Sequence, residues 1–128
     1  MEINIRIRTT SKSLRREIFQ KDVVDFGVKI QIPNSNAFLE SKDVRKINAT
    51  SSIDLLNLGL SFVLGIPTGI IANYLFEKLK GKANTILIGD RETEIIVQRI
   101  KEELDILVSQ KLENDKSKAA KDNIENKE

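Results

Sequence analysis

Residues 59–76, GLSFVLGIPTGIIANYLF, carry no charge, and this run limits the folds open to the chain more than any other feature. A helix crossing a bilayer core needs about 20 apolar residues, so the run is either a membrane span or an element buried in a protein core. Gly65, Pro67 and Gly69 interrupt it. Proline lacks the donor for the carbonyl one turn back, and its ring clashes there. The stretch therefore predicts one kinked helix, or two helices meeting at Gly65-Ile66 with Pro67 at the first position of the second. Ser51 to Asp54 has capping-box spacing ahead of it, and Lys78, Lys80 and Gly81 place cations and a glycine at its end.

The second half is amphipathic, with Ile70, Ile71, Tyr74, Leu75 and Leu79 on one side and Asn73, Glu77 and Lys80 on the other. That pattern favours a helix packed on a sheet in water, and a single-pass span near 56–76 is the alternative. Asp54, Asn57, Ser61, Gly65, Gly69 and Asn73 recur at steps of three or four. On a helix they form a stripe without bulk, where another backbone can come close. This stripe is the candidate packing or interaction site.

Around the run, apolar residues alternate with polar ones. Ile3, Ile5 and Ile7 interleave with Glu2, Asn4, Arg6 and Arg8, and Val24, Phe26, Val28, Ile30 and Ile32 repeat the pattern up to a Pro33-Asn34-Ser35-Asn36 turn. Strands are expected at 2–9, 23–32, 84–88 and 92–95, with a short helix within 11–20 and a loop at 37–50. Ile96, Ile100, Leu104, Leu107 and Val108 mark an amphipathic helix over 96–112. Beyond it the apolar content collapses, so 113–128 reads as a charged tail too polar to order itself. The expected fold is one α+β domain over 1–112. Its small, mostly antiparallel sheet of three or four strands is packed by the interrupted apolar helix and the C-terminal helix.

Chemistry is constrained by what is missing. With no His and no Cys, the chain lacks Ser-His-Asp and Cys-His nucleophile sites and the usual zinc ligands. No cofactor and no metal site is expected. Asp25 followed by Glu40-Ser41-Lys42 echoes metal-dependent nucleases, in which two carboxylates hold magnesium and a lysine positions water. With 11 Glu and 14 Lys in the chain, about one Glu-x-Lys arises by chance, and the spacing is read that way. Asp90, Glu92 and Glu94 are too few for a calcium loop and read as a solvated hairpin. Gly65 to Gly69 lacks the Gly-Lys-Ser/Thr ending of a phosphate loop. Arg15 and Arg16 read as an ordinary charged helix face. The net charge of +2 and the 5% aromatic content give neither a basic footprint nor a row of stacking rings, so nucleic acid is not an expected partner.

The whole layout carries a resemblance. EINIRIR, a helical excursion, VKIQIP, LSFVLGIPTG running into a helix that ends LKGK, TILIGDRETEI and a last helix follow one another over residues 1–108. This order resembles the small effector-associated constant component modules of bacterial conflict and defence systems. The resemblance implies a non-catalytic adaptor that partners an effector, and it transfers no site residues. A protein partner is expected, an effector or a second copy, with the cytoplasm as the place of action. Under the alternative, the chain is a membrane protein acting through helix association.

Overall fold

The computed structural model describes residues 1–11, 13–21, 26–42, 54–63, 65 and 67–125, with the backbone alone at residue 54 and over 114–125. Along them run β1 (Glu2–Thr9), α1 (Leu14–Phe19), β2 (Lys29–Gln31), β3 (Phe38–Ser41) and β4 (Asp54–Ser61). Then come α2 (Thr68–Leu79), β5 (Ala83–Ile88), β6 (Arg91–Thr93) and α3 (Val97–Glu125). The α+β class holds. The sheet is antiparallel throughout and has six strands in the order β2-β3-β4-β1-β5-β6, against the three or four expected.

The main correction concerns the apolar run. Its first third is not helix: β4 covers 54–61, and the helix starts only at Thr68. The physical reason lies in the residues themselves. Leu56, Leu58, Leu60 and Phe62 alternate with Asn57, Gly59 and Ser61, which is the period of a half-buried strand. All four apolar members are buried, and Ile7, Ile5 and Ile3 of β1 lie directly opposite the three leucines. The capping box loses its helix, since Asp54 opens a strand and Ser51 to Ile53 lie outside the described residues. Of the two readings of Pro67, the one that starts a helix there is closer: Pro67 flanks the first turn at φ −61°. A span near 56–76 is thereby divided between two elements. Among the described residues no helix is long and apolar enough to cross a membrane.

Of the second expected strand, 23–25 lie outside the described residues, and the described part is strand only over Lys29–Gln31. Gly27 sits at φ +88°, its N–H donates to the Ser41 carbonyl, and the Ser41 N–H donates to the Val28 carbonyl. That is a glycine β-bulge, which breaks the alternation, and Phe26 is left 61% exposed. Strand β2 is thus a short, bulged sheet edge carrying Lys29, a form that discourages edge-to-edge pairing. At the other side, β5 and β6 are joined by Gly89 and Asp90, both at positive φ, the tight hairpin turn that matches strand twist. Helix α3 runs to Glu125, past the boundary at 112. Its Lys, Glu and Ala are strong helix formers, so the backbone stays helical where little apolar surface remains to bury.

One face of the sheet is covered. Ile71, Ala72, Leu75 and Leu79 of α2, Ile100 and Leu104 of α3, and Leu14, Ile18 and Phe19 of α1 close a single core over the strands. Helix α2 has no side-chain cap and no acidic residue in its first turn. Asp105 of α3 does that work from outside, accepting from the buried Thr68 hydroxyl while Lys101 donates to its second oxygen at 2.8 Å. The Lys101 ammonium, and then the Thr68 hydroxyl, hold the Asp105 carboxyl below its usual 3.8. This group titrates lower folded than unfolded, so its stabilisation is full above about pH 4 and is lost as pH falls through the folded value. Asp105→Asn should cost about 0.5–1 kcal/mol at pH 7, kept small by solvent around the pair. In urea unfolding, the gap to the parent protein should narrow as the pH is brought from 7 to 3; a gap unchanged between the two pH values would contradict this account.

Candidate functional site

The pleat sends Ile3, Ile5 and Ile7 into the core and the intervening residues of β1 to the other side. There Glu2 lies opposite Ser61, Asn4 opposite Gly59, Arg6 opposite Asn57 and Arg8 opposite Leu55. Strand β3 adds Phe38 and Glu40 beside Ser61 and Gly59, and β5 adds Thr85 and Leu87 beside Arg8 and Arg6. Apart from Gly59 these residues are exposed or half-buried, so the second face of the sheet is open.

Along this face the small residues of β4, Asn57, Gly59 and Ser61, floor a trough between the longer side chains of β1 and β3. Its middle is filled by charge. Lys42 reaches over Gly59 to Glu2 at 3.1 Å and to Glu40 at 2.9 Å. A Cβ at Gly59 would fall 2.5 Å from Glu2 Oε1 and 2.7 Å from Lys42 Cε, so only glycine lets the pair lie flat. The Glu40 and then the Glu2 hydrogen bonds push the Lys42 ammonium up, and the Lys42 bond holds Glu40 down. The Ser61 end of the trough is open, a groove of about 390 Å³ walled by Met1, Glu2, Phe38, Phe62 and Val63. At the opposite end Leu55 stands 42% exposed beside Arg8. Across the sheet, Arg6 donates to Asp90 in the hairpin turn at 2.5 Å.

The expected stripe is not gathered on one surface. Asp54, Asn57 and Ser61 belong to β4, Gly65 lies in the connection at φ +99°, Gly69 is in the first turn of α2, and Asn73 is exposed on that helix. A three-to-four residue step is a face only on a helix, and the chain changes from strand to helix midway. Asn57 and Ser61 do share the open face, with Gly59 between them. Phe38, Leu55, Gly59, Glu2 and Arg8 were not singled out as site residues, although the two-residue alternation through 56–62 was a signal for the strand that carries Gly59. Of the nuclease-like residues, Asp25 lies outside the described residues, and Glu40 faces the Lys42 ammonium. Among the described residues no three His, Cys, Asp or Glu side chains are grouped to hold a metal.

The arrangement offers apolar knobs and a groove between compensated charges. No family model matches the chain, and no curated protein or solved structure matches it either.

Proposed function

We propose that the chain is a non-catalytic interaction module whose open sheet face docks a protein partner, an effector or a second copy, and that it acts as an adaptor in the cytoplasm in a bacterial defence or conflict system. The observation that supports it is the open sheet face, where Phe38 and Leu55 remain 39% and 42% exposed at the two ends of a trough. An antiparallel sheet commonly leaves one face in water, but that face is then polar, and large apolar side chains on it favour an interaction site. The defence setting rests on the layout resemblance over residues 1–108.

A photocrosslinking residue at Phe38, and separately at Asn73 on the helical side, tests the reading in cells. Covalent adducts are expected from position 38 and not from 73. Equal capture at both positions, or none at 38, would sink the reading.

A further inference from the structure

The open face is complementary to itself along its strands. Resting on the reading of this face as a docking surface, we propose that its occupant is a second copy of the chain. The two sheets pack face to face about a two-fold axis running across the strands at the level of Ile5 and Leu58. Such an axis sets each strand over its own copy in the reverse direction, and it makes the interface isologous.

The pairing register fixes what meets what. Glu2 shares a level with Ser61, Asn4 and Glu40 with Gly59, Arg6 and Lys42 with Asn57, and Arg8 with Leu55. Reversal about Ile5 and Leu58, which are themselves opposite each other, exchanges these levels pairwise. Arg8 then faces the partner's Glu2 and Arg6 faces the partner's Asn4, while Lys42 stays paired with Glu2 and Glu40 of its own chain. Leu55 projects toward the groove over the partner's Ser61, between the partner's Phe38 and the partner's Glu2. Along β1 no like charges meet. Arg8 is exposed and has no ion pair among the described residues, so the partner's Glu2 gives it one. The usual rotation of about 30° between packed sheets displaces outer strands more than β1 and β4, which lie at the centre of the sheet.

The face is about 26 Å along β1 and about 20 Å across four strands, roughly 500 Å² a side, at the low end of specific interfaces. Interfaces at that end of the range are the weak, transient ones, so association in the micromolar range is the expectation.

Sedimentation equilibrium on the full chain reads the outcome. The unaltered protein should reach twice the chain mass within the micromolar range. Arg8→Glu and Glu2→Arg should each weaken association about tenfold or more, because each sets like charges together at both symmetric contacts. An equimolar mixture of the two variants should associate again, since each reversed charge then meets its opposite on the other chain. Loss of folding cannot mimic that recovery. A monomer at every concentration, variants that dimerise normally, or a mixture that stays apart would each overturn the second copy as occupant. A monomer that still gives adducts with a different protein at Phe38 overturns this inference and leaves the adaptor reading in place; no adduct at Phe38 removes the adaptor reading itself.

Discussion

Leu58→Ala should lower the unfolding free energy by about 3–4 kcal/mol, a large part of the roughly 5–15 typical of a domain. Leu58 is fully buried on β4, opposite Ile5 of β1, with Leu39 and the helices closing the same core. Removing three carbons there leaves a cavity that neighbours on two strands cannot collapse into. Leu55→Ala, three residues earlier, should cost less than about 1 kcal/mol in the monomer, since that side chain stands on the open face. The pair separates two structures for the same residues. On a helix, positions 55 and 58 share a face and would respond alike, whereas on a strand they point to opposite sides. Equal denaturation midpoints for the two variants would be incompatible with β4.

The second large effect is expected at the hairpin. Gly89 holds φ +55°, and a Cβ there would lie 2.8 Å from Leu107 Cδ1 and 3.2 Å from Cδ2. Gly89→Ala therefore combines a left-handed conformation, about 1 kcal/mol for alanine, with displacement of a half-buried leucine of α3, for a total of about 2–3 kcal/mol. Gly81→Ala provides the comparison: φ is +72° and a Cβ would meet nothing within 4 Å, so only the backbone cost of about 1 kcal/mol applies. In the Leu107→Ala background the Gly89 cost should fall toward that of Gly81, a coupling of about 1 kcal/mol in a double-mutant cycle. Additive costs would mean that Leu107 does not seat on the turn.

Much of this architecture was legible where one physical rule acted alone. The isoleucine alternation over 2–8, the glycine-aspartate hairpin after Ile88 and the stripe from Ile100 to Val108 each became the element expected of them. The failures lie where two periods overlap. Over 57–73 the same small residues satisfy both a helical step of four and a strand step of two, and the run of apolar residues through Pro67 tipped the reading toward helix. What decides the matter is tertiary: a strand over 56–60 can lay three leucines against three isoleucines of β1, and local propensity cannot see that partner. Strand β3 was hidden for a similar reason, because its short Phe38–Ser41 segment shows little alternation until β2 and β4 flank it. The open face follows from the strand register, so it could not be read before β4 was assigned.

The central place of β1 carries a consequence for how the molecule is made. Its two neighbours, β4 and β5, come from much later in the chain, with Glu2 beside Ser61 and Ile5 beside Ile88. During synthesis at about 5–20 residues per second, the first strand spends seconds with its isoleucines and both hydrogen-bonding edges unmatched. The flanking hairpins can close on their own, yet neither half of the sheet is joined to the other until β1 is inserted between them. Folding thus depends on a segment translated early and used late, a schedule of high contact order that makes slow assembly and chaperone dependence expected traits of this domain.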